Sequence, residues 1–515
     1  MLRSGACKWA CAGLSALGLF WSFPPGGSGV LAFVALVPLL YGLERASGPG
    51  EAFRLGMVTG LLFYTANLYW LNYAMISFGG LPWLVGFSLL VLLSLYVSLY
   101  LGAFCFLWVR LSPQNLLGRI LWAGVLWAAL EFVRTYLLTG FPWTFLAYTQ
   151  FDNLSFLQLA SLGGLYGLSL IIVWVNAALA SAIHLGPAQW RRGAVGLLSA
   201  VLALGVALLY GRIELGQPQA GTPLKVAALQ GNIDQWVKWD PAYQQATMKT
   251  YGELTEAAAS QKAHLIVWPE TAVPFVLGAD LQAQVMLGNL ARSTGSYLLV
   301  GSPDVRSGSE PLFFNSAFLV TPRQGIVQKY DKVHLVPFGE YVPLRKILFF
   351  VDKMVRGAVG DFQAGTEYTL FRTSEGQFGV TISYEVYFPA QVRRYFQKGA
   401  DFLVNITNDA WYGRSAAPYQ HLAMAVFRAV ENGAYVVRAA NTGISAIIDP
   451  QGRVLEESEI FVPAVVTGEI RNRSRQTFYT QFGDLLAGLC LAGSAIYGGG
   501  KIGISLVRLL HSTSR

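Results

Sequence analysis

Charge is scarce in this sequence. Only 13% of its 515 residues are Asp, Glu, Lys or Arg, against about 25% in an ordinary soluble domain. With 54% of residues hydrophobic, that excludes a disordered chain and argues against a wholly soluble one. Cysteine is nearly missing. Cys7, Cys11, Cys105 and Cys490 all sit in apolar stretches, so no disulfide scaffold is implied. The 37 basic residues outnumber the 29 acidic ones, but they are scattered, and nucleic acid needs them clustered on one element. Five dispersed histidines give no H-E-x-x-H zinc pattern. His334 and His421 are the two worth considering, and a hydrogen-bonded structural role suits both. Gly498-Gly-Gly-Lys501 lacks the spacing and the preceding strand of a P-loop. No G-x-S-x-G elbow surrounds Ser383. Neither a metal nor a cofactor is expected.

What is abundant is apolar sequence near the roughly 20 residues needed to span a bilayer. Residues 1–214 hold seven such runs, at 7–23, 28–44, 55–76, 82–109, 119–138, 162–184 and 193–211, and 483–509 hold an eighth, interrupted by Lys501. Residues 222–470 read as soluble. The first run reads as an uncleaved span, because bulky Phe20, Trp21 and Phe23 stand where a signal peptidase needs small residues. Arg3, Lys8, Arg45, Arg54, Arg110, Arg119, Arg191 and Arg192 fall on one side of this arrangement, and the loops 24–27 and 77–81 carry no Lys or Arg. The positive-inside rule puts the basic set in the cytoplasm and residues 222–470 on the outer side.

The fifth span carries Glu131 and Arg134 and breaks at Gly140-Phe-Pro-Trp143. Two readings stand: ionisable groups at membrane depth with a functional task, or an interfacial ion pair one helical turn apart, with Trp143 and Tyr148 as an aromatic belt. The Gly-rich stretch 163–167 predicts close helix packing.

The soluble part alternates short β-branched runs (225–230, 264–268, 297–301, 315–321, 378–382, 401–406, 435–440, 445–449) with helix-compatible stretches (241–261, 278–293, 388–398, 419–432). That predicts an α/β layered domain. In open α/β sheets, reactive residues gather just past the carboxyl ends of strands. Three strand ends carry polar groups after apolar runs: His264 to Glu270; Tyr330-Asp-Lys332 through Glu340 to Pro343; and Phe378 to Ser383-Tyr384-Glu385. Singly, each reads as solvated loop. Together they supply what nucleophilic acyl transfer needs: Glu270 as base, Lys332 as electrostatic partner and residue 383 as nucleophile.

This order of Glu, Lys and a nucleophile on strand ends resembles the nitrilase superfamily of carbon–nitrogen hydrolases. Val226-Ala-Ala-Leu-Gln230-Gly-Asn232, Lys238-Trp239, Trp268-Pro-Glu270-Thr, the Tyr330–Pro343 block, Asn408-Asp-Ala-Trp411-Tyr-Gly413, and Glu131-Phe-Val-Arg134 with Gly140-Phe-Pro-Trp143 resemble the apolipoprotein N-acyltransferase family across nearly the whole chain. The resemblance implies a polytopic α-helical membrane domain of about eight spans plus a nitrilase-like α-β-β-α sandwich. Expected boundaries are 1–214, 222–470 and 483–509. It implies a monomer in the bacterial inner membrane, its catalytic domain in the periplasm. That domain would take a fatty acyl chain from a phospholipid donor and pass it, by a ping-pong route through a thioester, to the α-amino group of a diacylglyceryl-cysteine apolipoprotein acceptor. Glu270 would be the general base and Lys332 the oxyanion stabiliser, supported by Trp239, Glu340, Tyr384 and Glu385.

One position departs from the family: its nucleophile is a cysteine, and here it is Ser383. A thiol is partly ionised near neutral pH and strongly nucleophilic, whereas a hydroxyl is weak without a strong base. The expectation is a chain that transfers slowly or not at all, either a substituted variant or a natural slow relative. A membrane-tethered amidase and a non-catalytic lipoprotein-binding protein are the competing readings. The stretch 343–362, with Ile347, Leu348, Phe349 and Phe350 among Arg345, Lys346, Lys353 and Arg356, predicts an amphipathic interfacial lid.

The charge asymmetry makes a topological prediction. A reporter fused near residue 215 and one fused after the last span should fall on opposite sides of the membrane. Both on one side would refute the eight-span arrangement.

Overall fold

A computed structural model describes residues 2–513 except 239, 307, 309, 310 and 343–361; for 2–5 and 502–513 it describes the helical backbone. Trp239 and the 343–361 part of the expected lid therefore lie outside the described residues. The chain forms two compact units, one of 1–69, 87–215 and 482–515, the other of 70–86 and 216–481.

The first unit is helical: α1 (Leu2–Phe20), α2 (Ala32–Ala35), α3 (Val37–Leu43), α4 (Pro49–Asn67), most of α6 (Trp83–Leu111), α7 (Leu116–Tyr136), α8 (Leu154–Leu157), α9 (Ala160–Leu185), α10 (Trp190–Leu215) and a last helix, Leu485–Thr513. Among the described residues, Trp83–Leu111, Leu116–Thr139, Ala160–Leu185 and Pro187–Leu215 are long and apolar enough to cross a membrane, and Ala6–Phe20 and Gly29–Leu43 are shorter apolar helices. Leu92, Leu198, Val201 and Val206 are exposed on these helices. An outer face of this kind suits hydrocarbon rather than water. The chain is a membrane protein.

Three of the expected runs are not single helices: 162–184 is kinked at Gly164, which has φ +60°, and 28–44 and 55–76 are broken. The run 28–44 is interrupted at Leu36, ahead of Pro38, which has no N–H to give to a continuous helix. The buried amide of Asn176 on α9 fills the interruption, accepting from Leu36 N–H at 2.8 Å and donating to the Ala32 carbonyl at 2.8 Å. The run 55–76 stops at Asn67, where the backbone of Leu68 leaves helical values. Its remainder, α5 (Trp70–Ser77), belongs to the second unit, where Trp70 is buried with its ring 4.7 Å from that of Tyr412.

Of the two readings of Glu131 and Arg134, the ion pair is not formed. Glu131 accepts from Trp127 Nε1 and from Leu146 N–H, both at 2.9 Å, while Arg134 donates to the Tyr64 hydroxyl at 2.7 Å and to the Trp143 carbonyl at 2.9 Å. Both side chains tie the irregular segment after α7 back onto that helix. Trp143 and Tyr148 are buried in this segment, so they form no aromatic belt. The Gly-rich stretch does mark close packing: a Cβ on Gly163 would meet Leu486 of the last helix at 2.7 Å.

The second unit is an α/β sandwich. Its strands are β1 (Pro223–Gln230), β2 (Leu265–Val267), β3 (Tyr297–Arg306), β4 (Leu312–Thr321), β5 (Gly325–Asp331), β6 (Leu370–Arg372), β7 (Gln377–Ile382), β8 (Phe402–Thr407), β9 (Val436–Ala440), β10 (Ala446–Ile448), β11 (Val454–Glu457) and β12 (Ala464–Arg471). They form two six-stranded sheets, ordered β12-β1-β2-β3-β4-β5 and β11-β10-β9-β8-β7-β6. Helices α11 (Gln244–Ser260) and α12 (Leu281–Thr294) cover the first sheet, packing on Ala227, Leu229, Ile266, Leu298 and Val300. The helix Pro389–Gln397 covers the second, its Tyr395 lying where a Cβ on Gly379 would stand. The opposite faces meet: a Cβ on Gly468 of β12 would touch Ile447 of β10 at 2.7 Å. β8 and β9 are buried on both faces, which is why they read as continuous apolar runs.

Asn176 gives a stability prediction. Asn176→Leu keeps the branched shape but removes a hydrogen bond from each of two backbone groups, Leu36 N–H and the Ala32 carbonyl, and should destabilise the helical unit by on the order of 2 kcal/mol. Thermal unfolding in detergent checks this; an unchanged midpoint would contradict it.

Candidate active site

The candidate side chains stand just past strand ends. β1, β2 and β3 run parallel. β5 is antiparallel to β4, and β4 to β3, so β5 points the same way. Glu270 follows β2 by three residues and Lys332 follows β5 directly, which brings both to one edge of the first sheet. In the second sheet β7 and β8 are parallel, with Ile382 in register with Ile406. Ser383 leaves β7 at once, and Asn408 leaves β8.

Glu270 is buried, with both oxygens engaged. Oε1 accepts from Asn315 Nδ2 at 2.7 Å and lies 3.7 Å from Lys332 Nζ. Oε2 accepts the backbone N–H of Asn408 at 2.9 Å. Lys332 is 1% exposed, and its Nζ is 2.9 Å from each oxygen of Glu340. Glu340 is fixed in turn by Asn315 Nδ2 at 2.9 Å and by the Val336 N–H at 2.8 Å. Burial pushes the Glu270 carboxyl up; Lys332 pulls it down and Glu340 pushes it up again. Burial pulls the Lys332 ammonium down, but Glu340, Glu270 and Glu385 outweigh burial and the net shift is upward. The lysine therefore stays charged, while the carboxylate is more basic than an exposed one. These are the states a proton acceptor and an oxyanion stabiliser require.

Glu385 is fully buried and touches the same edge from the second sheet. Its Oε1 accepts from the Tyr330 hydroxyl and the Val333 N–H at 2.7 Å, from Gln391 Nε2 at 2.9 Å and from the His334 N–H at 3.0 Å. Its Oε2 accepts from the Ile382 N–H at 2.8 Å. Glu385 thus holds the backbone on both sides: the residue before Ser383, and the two residues after Lys332.

Ser383 is half-buried and has φ +51°, a left-handed conformation that costs a non-glycine residue about 1–3 kcal/mol and persists where the surroundings enforce it. Among those surroundings is His421, whose ring faces the Ser383 backbone and lies with Nδ1 2.9 Å from Asp409 Oδ1. Burial and then Arg438 pull this imidazole down to about 4, against Asp409, so it is neutral at physiological pH. Asp409 also takes Arg438 Nη2 at 2.8 Å. His421 thus has the hydrogen-bonded structural role expected of it. His334 stacks on Phe388 with ring centroids 3.9 Å apart. Tyr384 is buried, edge-on to Tyr387 and Phe388.

Sequence reasoning missed Asn315, the Asn408 N–H, Lys238 as a contact of Glu270, and the Asp409–His421–Arg438 network. A signal existed for two of them: Asn315 and Arg438 are polar residues inside otherwise apolar strands, and such residues are buried only with partners. Among the described residues, no group of three or more His, Cys, Asp or Glu is placed to hold a metal ion.

The strand-end cluster and the paired sheets define a class. The carbon-nitrogen hydrolase family model matches residues 225–479, and the α/β unit is a nitrilase-like domain. The amidase of Nesterenkonia sp. AN1, 21% identical, covers 52% of this chain and 95% of its own, with a TM-score of 0.39. A second family model, for the apolipoprotein N-acyltransferase N-terminal domain, matches residues 15–178. The apolipoprotein N-acyltransferase of Geobacter metallireducens is 42% identical over 94% of this chain and 93% of its own; that of Nitrosomonas europaea is 35% identical over 90% and 91%. The chain belongs to the apolipoprotein N-acyltransferase family.

Glu340→Ala leaves the buried Lys332 ammonium with its remaining carboxylate neighbours but without its 2.9 Å partner. The expected loss is about 3 kcal/mol, as for other broken buried pairs. Glu340→Gln, which keeps the contact with Val336 N–H, should lose less. Chemical denaturation of both variants checks the order.

Proposed function

We propose that this chain is an N-acyltransferase of the bacterial inner membrane, with its α/β unit in the periplasm. It takes a fatty acyl chain from a phospholipid and passes it to the α-amino group of an apolipoprotein's diacylglyceryl-cysteine. The observation that carries the reading is the buried Glu270 carboxylate 3.7 Å from a charged, buried Lys332, in a chain of this family. Glu270 takes the proton of the nucleophile at residue 383, which attacks the ester carbonyl of the phospholipid. The negative charge that develops on the carbonyl oxygen is met by the Lys332 ammonium. The tetrahedral intermediate expels the lysophospholipid alkoxide, which takes the proton from Glu270, and an acyl-enzyme remains. The acceptor amine then attacks that acyl group, loses a proton to Glu270, and leaves as an amide as residue 383 is reprotonated. Glu340 and Glu385 hold Lys332 and the two backbone segments in place; Tyr384 packs beside the nucleophile, and the family resemblance gives Trp239 a substrate-binding or supporting role.

With Ser383 as the nucleophile, the first step is slow. Glu270 is far less basic than a serine alkoxide, so proton transfer from a hydroxyl is steeply uphill, whereas from a thiol it is much less so. Incubated with phospholipid, Ser383→Cys should gain a hydroxylamine-labile acyl mass, and Ser383→Cys with Glu270→Gln should not. Full transfer by the unaltered chain, or no acyl mass on Ser383→Cys, would overturn the reading. The pH dependence follows from the raised Glu270 carboxyl. Below its titration point the base is protonated and acylation stops, so the acid limb of Ser383→Cys acylation should lie above the ~4.3 of an ordinary glutamate. A limb at or below that value would contradict the role of Glu270.

A further inference from the structure

Lys238 has no part in the chemistry described so far. It is 2% exposed, and a buried ammonium is retained only with compensating partners. Its Nζ donates to Thr271 Oγ1 at 2.6 Å and to the backbone carbonyl of Glu270 at 3.1 Å. Both acceptors belong to the turn that carries the proposed base. That turn is strained and crowded. Thr271 has φ +47°, a rare conformation for a β-branched residue. From the other side β3 presses against it: a Cβ on Gly301 would stand 2.3 Å from the Pro269 carbonyl oxygen and 2.7 Å from the Thr271 nitrogen. Gly301 thus sets how closely the turn approaches β3, and Lys238 holds it there.

We propose that Lys238 is a positioning residue for acyl transfer: it clamps the Glu270–Thr271 turn against β3 and sets a second positive charge behind the Glu270 carboxylate, which keeps that carboxylate ionised when the nucleophile's proton has to be taken. The inference rests on Glu270 being the base. The charged and titratable groups facing Glu270 are Lys332, Glu340, Lys238 and Tyr412, and Lys238 itself faces Glu270. Two lysines thus oppose one neighbouring carboxylate and the burial that favours the protonated form. Burial draws the Lys238 ammonium down to about 8, against the pull of Glu270, so its charge is present at neutral pH and fades in mild alkali.

The test uses the full chain with Ser383→Cys in detergent and phospholipid, and reads two things. One is the pH profile of thiol alkylation by iodoacetamide, followed by intact mass. The other is acyl-enzyme formation against phospholipid concentration. Adding Lys238→Met should move the acid limb of alkylation up by about one pH unit, the size expected for losing one nearby charge. It should also lower the acylation rate at saturating phospholipid by up to ~10-fold at a pH on the acid limb, the most that a one-unit shift removes from the ionised fraction of the base, with KM for phospholipid unchanged. Lys238→Arg, which keeps the charge, should leave the limb in place. Should Lys238→Met fail to fold, Lys238→Gln, neutral but still a donor, takes its place with the same expected shift. An unmoved limb in the neutral variant, or an equal shift in Lys238→Arg, would overturn the inference. If Ser383→Cys is never acylated but its alkylation limb still moves with Lys238, the acyltransfer reading fails and the role of Lys238 stands.

Discussion

Two buried carboxylates cross between the sheets of the α/β unit, in opposite directions. Glu270 extends from the first sheet and receives the N–H of Asn408, which follows β8 in the second. Glu385 extends from the second and receives the N–H groups of Val333 and His334, which follow β5 in the first. Each carboxylate therefore does for a loop what a ladder partner does for a strand: it satisfies backbone donors that burial would otherwise leave unpaired. Everything else at this edge depends on the crossing. Lys332 directly precedes one of the bound N–H groups, and Ser383 directly follows another, that of Ile382. The positions of the proposed nucleophile and oxyanion stabiliser are thus fixed from a single side chain.

The electrostatics follow from the same arrangement. Three carboxylates, Glu270, Glu340 and Glu385, act on one buried ammonium, Lys332. Removed from water, each charge alone would be unfavourable by several kcal/mol. The excess of negative charge decides the outcome: the lysine is held protonated, and burial keeps the Glu270 carboxyl, 3.7 Å from it, above the usual carboxylate range. The charge stabilisation and proton acceptance proposed for Lys332 and Glu270 are thus divided between two groups 3.7 Å apart by the number and placement of their neighbours. Serine at 383 leaves this arrangement intact, because among the described residues the hydrogen bonds that build it run through Glu270, Glu340, Glu385 and Asn315 and not through the side chain of residue 383. What differs from a thiol there is the acidity of the group proposed to give up a proton.

Much of the architecture is legible in the sequence. The eight β-branched runs of the soluble part all lie on strands, because two-sided burial forces continuous apolar segments. β6, β11 and β12 were not legible, and of β5 only the end before Lys332 was. β11 and β12 are partly exposed strands with mixed composition, and β6 is three residues long, so none carries a period strong enough to separate it from loop. The break of the run 55–76 was hidden for a different reason: hydrophobicity does not reveal that Trp70 packs on Tyr412 rather than continuing a span. At the site, the residue types that carry chemistry were visible at strand ends. The groups that hold them were not, since Asn315 and Lys238 act through partners far away in sequence.

The helical unit follows the same rule in another solvent. In hydrocarbon no water satisfies an irregular backbone, so a broken segment survives only where side chains take over its hydrogen bonds. Glu131 and Arg134 do this for the stretch after α7, one through the Leu146 N–H and the other through the Trp143 carbonyl, and Asn176 does it at Leu36 with a neutral amide. Charge is scarce in this chain because most of its surface and core is apolar. Where buried charge occurs, it recurs at places where the backbone leaves regular structure: after α7, at the turn after β2 and at the turn after β7. In the α/β unit those turns coincide with strand ends, where the same charges that satisfy the backbone also set the acidity of the groups proposed to react. A charged side chain buried in a low-charge sequence is therefore a marker of irregular backbone first, and of chemistry where several such turns converge.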